Sequence, residues 1–202
     1  MRKKALIAFI IRQYETKDLE EVIRVYKSAF AEPPWNEFLK CSFCSVEYGK
    51  KEAIGETCKK CKRKTVLIEY WSNAEIIKDL EYAIAQPEPI VLVAELKNLA
   101  GFTWGYKIPP EKFPFLKTLV PENAVYMDEV AVRSEMRQKG IGKKLCIAFL
   151  ETAKKPVVLR TDERNTASMA LFARTGFVPV LTQGKPVKDP EYPNRIYLWR
   201  QT

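Results

Sequence analysis

Cys41-Ser42-Phe43-Cys44 and Cys58-Lys59-Lys60-Cys61 are two C-x-x-C pairs separated by 13 residues. Each pair can present two thiolates to one ion, and two pairs complete a tetrahedral sulfur shell. Four sulfur ligands with no open position point to structural Zn2+, with a mononuclear iron site as the less favoured alternative. The chain has no histidine, so neither metal binding nor proton transfer can use imidazole. The fifth cysteine, Cys146, falls on an apolar helical face and reads as a small buried residue rather than an acyl carrier.

A second constellation is Arg137-Gln138-Lys139-Gly140-Ile141-Gly142-Lys143. Glycines where a loop turns into a helix leave main-chain N–H groups uncovered at the positive end of the helix dipole, which makes a cradle for an anion. The lysines and arginine around it suit a pyrophosphate. No G-x-x-x-x-G-K-[ST] motif is present and the third glycine of the dinucleotide fingerprint is missing, so neither a P-loop nor a Rossmann site fits. Upstream, Asp128 and Glu129 interrupt an apolar run and are candidate proton acceptors, since carboxylates in such a run are costly to bury unless paired or used. Strand alternation predicts that they face opposite sides of a sheet, only one of them toward a substrate. An ion pair with Arg160 is the competing structural explanation for either.

The elements that must position these residues follow from hydrophobic period. Strands are expected over 5–14, 90–96, 101–108, 125–132, 156–161, 178–181 and 196–200. Helices are expected over 17–30 behind a Thr16 cap, from the Ser72-Asn73-Ala74-Glu75 capping box to residue 85, over 140–153, and over 165–175 closed by Gly176. The strand, helix and strand from 125 to 161 imply a parallel pair. A proline-punctuated loop fills 109–121.

Arg137, Gly140 and Gly142, after the strand ending in Val130, Ala131 and Val132, match the Q/R-x-x-G-x-G/A signature of the GNAT acetyltransferases. Asn165 to Phe177 resembles that family's N-x-x-A-x-x-L-Y-x-K-x-G-F block. The resemblance is strong over 125–178 and follows element order from residue 5, leaving 40–64 outside. It implies a mixed α/β (α+β) fold, with a mostly antiparallel central sheet, helices on both faces, and one parallel pair formed by the family's fourth and fifth strands. It further implies acetyl-CoA as co-substrate, with Arg137, Gln138, Lys139, Gly140, Ile141, Gly142 and Lys143 around its pyrophosphate. Val130, Ala131 and Val132 would pair with pantetheine, and Asn165 and Phe172 would lie along the cofactor. The reaction would be direct transfer of acetyl to an amine, with Glu129 or Asp128 as base. Where the family commonly has a tyrosine to protonate the leaving thiolate, this chain has Phe172, so Tyr126 is the candidate replacement.

Length and composition fit one domain over 1–202, with 36–69 as a zinc-ribbon insertion between the first two helices. Seven lysines and one arginine against three glutamates give 40–64 a charge of +5 out of the chain's +9. These lysines counter the charge of a tetrathiolate metal site or recruit an acidic partner; substrate recognition or lid stabilisation by the ribbon is preferred to pure scaffold. Paired cysteines rather than a dispersed even set suggest a reducing, cytoplasmic setting. The apolar run at 5–11 has no small-residue cleavage site and reads as the first strand, and no membrane span is expected. The acceptor amine is of unknown class, a protein among the candidates, and the state is monomer or homodimer. Two other functions compete: a catalytically impaired CoA-binding interaction module, and a ribbon-led nucleic-acid binder, which is admitted by charge but not favoured.

Overall fold

Apolar residues at three- and four-residue spacing make Leu19–Phe30 the first helix, α1, burying Val22, Ile23, Val25, Tyr26, Ala29 and Phe30. We describe residues 9–201 of the chain from a computed structural model. Helix α1 follows a 3-10 turn at Thr16–Asp18. The start is capped by Glu15 and Asp18, which exchange hydrogen bonds in a capping box, and not by Thr16. Before it lies strand β1, Ile10–Gln13, shorter than expected; residues 5–8 of the expected strand lie outside the described residues.

The capping box at Ser72 and Glu75 opens α2, Asn73–Ala85. Then follow β5 (Ile90–Glu95), β6 (Leu99–Lys107), β7 (Val125–Val132), α3 (Ile141–Ala153), β8 (Val157–Asp162), α4 (Thr166–Arg174), β9 (Val178–Pro179) and β12 (Arg195–Arg200). Strands β10 (Leu181–Thr182) and β11 (Lys185–Pro186) pair with each other as a separate hairpin, so the strand expected over 178–181 divides at Val180. The main sheet runs β1-β5-β6-β7-β8-β12-β9 and is antiparallel throughout except for the parallel pair β7/β8. This is the mixed, mostly antiparallel architecture with one parallel pair that the resemblance implied.

Two cores cover the sheet. Tyr26 and Phe30 of α1 and Ile76 and Leu80 of α2 pack with Phe102, Trp104 and Tyr126 on one face. Leu145, Cys146 and Phe149 of α3 and Phe172 of α4 pack with Leu92, Met127 and Leu159 on the other. Phe102 and Trp104 stack with ring centres 4.6 Å apart, and Tyr26 lies 6.1 Å from each.

Between α1 and α2 the chain builds a small three-stranded sheet in the order β3-β2-β4, from β2 (Leu39–Cys41), β3 (Glu47–Tyr48) and β4 (Leu67–Glu69). Its core is Cys41, Tyr48 and Cys58, separate from the two main cores. It is tied to the body by Lys27 on Glu69 at 2.9 Å, Lys40 near Glu75 at 3.7 Å, and the Lys50 N–H donating to the Ala31 carbonyl at 3.3 Å. No helix among the described residues is long and apolar enough to cross a membrane.

Candidate active site

The pairing of β6 with β7 slips by one residue: Trp104 faces Glu129, whereas Gly105 faces Met127. Asp128 is therefore the extra residue of a β-bulge. Gly105 makes room for it, because a β-carbon there would collide with the Tyr126 carbonyl oxygen and come within 2.6 Å of the Phe149 ring. The bulge breaks the alternation. Tyr126 and Ala131 pack into the core under α1 and α2, while Met127, Val130 and Val132 pack toward α3 and α4. Asp128 and Glu129 both lie on the α1/α2 face. The Tyr106 hydroxyl donates to Asp128 at 3.0 Å, and Glu129 stands opposite Trp104; both partners belong to that core. The expectation that the two carboxylates face opposite sides is thus corrected, since strand period holds only where no residue is inserted.

Burial holds the Glu129 carboxyl well above the usual range, reinforced by the negative charges of Asp128, Glu37 and Asp79; Arg195 opposes them. Asp128 is also raised, mainly by burial, with the Tyr106 hydrogen bond and the Arg160 charge acting against it. Arg160 is not its ion-pair partner. It binds Asp189 at 2.6 Å, and Asp189 also accepts from the Tyr197 hydroxyl at 2.8 Å. Tyr126 is fully buried, touching the Phe113 ring at 4.7 Å, and burial and the Asp128 charge keep it a phenol well above its ordinary range.

Rungs between β7 and β8 stop at Met127 and Leu159, although β7 continues to Val132 and β8 to Asp162. The strands part at the bulge, so the β8-facing edge of Val130, Ala131 and Val132 has no strand partner. Beyond it, a 3-10 turn at Ser134–Met136 leads to the glycine loop. Gln138 at φ 61° and Gly140 at φ 83° turn the backbone into α3. Among the described residues, no main-chain acceptor takes the N–H groups of Gln138, Lys139, Gly140, Ile141, Gly142 or Lys143. These N–H groups are left open at the start of α3, the arrangement that an anion cradle requires.

The loop is clamped to α1 by three contacts. Arg133 binds Glu21 and donates to the Leu99 carbonyl at 2.8 Å, Ser28 Oγ accepts from the Ser134 N–H at 3.2 Å, and Arg137 donates to the Ala29 carbonyl at 2.6 Å. The Arg137 side chain is thereby turned back to α1, and Lys139 Nζ folds onto the Glu135 carbonyl at 3.0 Å. Lys143 is exposed at the helix start.

Asn165 caps α4, its Oδ1 accepting from the Ser168 N–H at 3.1 Å. Phe172 is buried in the α3/α4 core with its ring 5.7 Å from Phe177. Tyr126 belongs to the opposite core, so the structure does not bring Tyr126 and Phe172 together on one face. The sequence reading missed Glu37, Asp79, Trp104, Tyr106 and Lys112 around the carboxylates. Tyr106 and Trp104 were legible only as alternate residues of one strand face, and Glu37 and Asp79 come from segments distant in sequence.

The sulfur atoms of Cys41, Cys44, Cys58 and Cys61 all lie within 4.8 Å of one another, with Cys41–Cys61 at 3.9 Å and Cys44–Cys58 at 3.6 Å. A tetrahedral ion with metal–sulfur bonds of about 2.3 Å needs sulfur–sulfur edges of about 3.8 Å, and a disulfide is far shorter. The Cys58 thiol, although buried, is drawn down to about 5 by the N–H groups of Cys61 and Lys60 and by the Tyr48 hydroxyl. Against the Arg63 N–H, burial and the sulfurs of Cys58, Cys44 and Cys41 push the Cys61 thiol up to about 11, so it is the spacing of the four sulfurs that fits a metal site.

Similarity to known proteins agrees with this geometry. Residues 52–177, well over half of the chain, match the model of the acetyltransferase (GNAT) family. No curated protein sequence shows significant similarity to the chain. Among solved structures, PaiA N-acetyltransferase from Thermoplasma acidophilum in complex with coenzyme A is 15% identical, with a TM-score of 0.60 over 96% of this chain and 99% of that one. The ribosomal-protein-S18-alanine N-acetyltransferase from Escherichia coli is 13% identical, with a TM-score of 0.57 over 96% of this chain and 94% of that one. YncA from Salmonella typhimurium with its cofactor acetyl-CoA is 17% identical, with a TM-score of 0.56 over 96% and 94%. The family model spans more than half of the chain, so the chain belongs to the GNAT acetyltransferase family and is an acyltransferase.

Proposed function

We propose that this protein transfers acetyl from acetyl-CoA directly to an amine, in one domain whose 36–69 segment is a structural zinc ribbon. The observation that carries this reading is the unpaired stretch of backbone from the parted strands to the start of α3. Its acceptor groups and N–H groups suit, in order, the amides of a pantetheine arm and a pyrophosphate. In this reading Val130, Ala131 and Val132 hold the arm, and Gln138 to Lys143 hold the phosphates with Lys143 adding charge. Arg137 acts by fixing the loop to α1. Asn165 serves α4 through its oxygen and leaves its amide N–H group for the cofactor. Bound acetyl-CoA supplies the activated acyl group.

Glu129 takes the proton of the attacking amine. Its raised pKa suits this role, because a base works best when its pKa approaches the working pH. Asp128, held by Tyr106, keeps Glu129 raised through its charge. With Phe172 in place of a phenol on α4, the phenols near the carboxylates are Tyr106, which donates to Asp128, and the buried Tyr126. A thiolate whose parent thiol has a pKa of about 8.5 also leaves tolerably well without an acid.

The cysteine spacing supports zinc as the ribbon's ion, held by Cys41, Cys44, Cys58 and Cys61, with no open position for chemistry. The test of the whole reading is the appearance of free CoA thiol. Release should require an amine, and Glu129→Gln should slow it. Release without amine, or none with any amine, contradicts the proposal.

A further inference from the structure

Of the ten large apolar side chains left exposed among the described residues, five fall within 36–69: Phe38, Phe43, Ile54, Val66 and Ile68. A small ribbon that served only to hold a metal would have no use for such a concentration. Three of the five share one face. The register of β2 with β4 sets Lys40 across from Ile68, and Cys41 and Leu67 face each other on the inner side, in the ribbon's own core. Hydrogen bonds from the Tyr70 N–H to the Phe38 carbonyl, at 3.2 Å, and from the Ser42 N–H to the Val66 carbonyl, at 2.9 Å, carry this register one rung further at each end. Strand alternation therefore puts Phe38, Val66 and Ile68 on the outer face, where they are 43%, 45% and 47% exposed, with Lys64 next in line.

Strand β4 also has an open edge, since in the order β3-β2-β4 it pairs with β2 alone. The Val66 carbonyl and the Tyr70 N–H turn toward β2, so the peptide groups of Leu67 and Glu69 turn the other way. One rung on that side is filled by the Thr65 N–H, which donates to the Glu56 carbonyl at 2.8 Å. Past it, the 54–57 segment leaves an open groove of about 760 Å³ whose lining includes Ile54, Lys64 and Leu67. An unpaired edge beside an apolar groove is a template for a further strand.

The charges around the groove select what that strand carries. From Lys50 to Lys64 only Lys59 has a carboxylate partner, Glu52 at 2.6 Å. Lys50, Lys51, Lys60, Lys62, Arg63 and Lys64 form no ion pair among the described residues, against two carboxylates between 40 and 64, Glu47 and Glu56, that also form none. The Phe43 ring at the first cysteine knuckle is covered by the Arg63 guanidinium at 5.3 Å, and Val66 and Ile68 are aliphatic, so the surface suits peptide side chains better than stacked bases.

We infer that the open edge of β4 receives an extended acidic segment of a partner protein as an added strand. Its main-chain groups pair with those of Leu67 and Glu69, its apolar side chains lie beside Val66 and Ile68, and its carboxylates reach Lys64 and the second cysteine knuckle. No part of this docking involves CoA, so it stands apart from the acetyl-transfer reading.

Fluorescence anisotropy with the metal-loaded full chain tests it, the probe being a labelled peptide of alternating valine and threonine followed by a run of glutamates. The probe should bind saturably, and replacing its valines by serine or its glutamates by lysine should weaken binding by about tenfold or more. Glu69→Pro, which deletes one edge N–H, should weaken it by a similar factor, whereas Glu69→Gln, which keeps that N–H, should not. Lys64→Glu should weaken binding of the glutamate probe and strengthen that of the lysine probe, a reversal that loss of the ribbon fold would not produce. No saturable binding, equal affinity for the glutamate and lysine probes, or affinity that Glu69→Pro leaves intact overturns the inference. Preference for a single-stranded oligothymidylate over the peptide overturns it as well, by making the basic surface a nucleic-acid site.

Discussion

Glu129 holds its proton to higher pH than an exposed carboxylate because it is buried next to Asp128, Glu37 and Asp79, with Arg195 opposing. As a base it works only when ionised, so activity should fall as pH drops through this raised pKa, above the usual carboxylate range of about 4. Glu129→Gln should lower kcat by about 100-fold or more and remove that limb of the pH profile. Stability moves the other way. A carboxyl with a raised folded pKa binds more protons folded than unfolded, so its contribution is fully present below the unfolded pKa and is lost as pH rises through the folded one. The variant should therefore lose less stability than the wild type between pH 5 and pH 8, a comparison that thermal melts at the two pH values provide. Both carboxylates were legible in the sequence as charges in an apolar run. Their common face was not, since alternation cannot count an inserted residue, and the one local signal was the glycine at 105 in an otherwise bulky strand.

Gly105 makes the bulge a property of two strands rather than of β7 alone. A methyl group at 105 would meet the Tyr126 carbonyl and the Phe149 ring, and neither backbone nor a buried ring yields easily. Gly105→Ala should cost about 1–3 kcal/mol by overpacking and, by shifting the bulge, reduce turnover more than it reduces acetyl-CoA binding. Denaturant melts with parallel measurements of kcat and cofactor affinity check this; unchanged stability would mean the bulge tolerates a side chain. The glycine loop was readable because its chemistry is local: a glycine at φ 83° opening a helix is dictated by a few adjacent residues. The parting of β7 from β8 was not legible in the sequence, because it depends on where two strands distant in sequence cease to pair. The Thr16 cap fails for a comparable reason, as Glu15 and Asp18 cap a preceding 3-10 turn.

At the scale of the whole molecule, a two-faced catalytic sheet carries a small basic ribbon with a core of its own. The segment has few buried apolar residues of its own, so on the zinc proposal metal removal should act locally. The expected zinc content is one per chain. Chelation, or Cys58→Ser, should expose the lysines between 50 and 64 to trypsin while the melting of the main sheet changes less; metal-free protein with unaltered digestion would make the cluster dispensable. The C-x-x-C pairs were legible from spacing alone, whereas the ribbon's place between α1 and α2 followed from element order. The cleft carboxylates Glu37 and Asp79 had no sequence signal, since only the packing of α1, α2 and the sheet brings them to Asp128 and Glu129. The central claim remains that backbone from β7 to α3 binds acetyl-CoA, and titration calorimetry tests it most directly. The wild-type protein should bind acetyl-CoA with one site per chain, and Gly140→Asp with Gly142→Asp, which puts carboxylates into the anion cradle, should weaken binding by about 100-fold or more. Equal affinity in the wild type and the doubly substituted protein, or no binding to the wild type, would contradict the account.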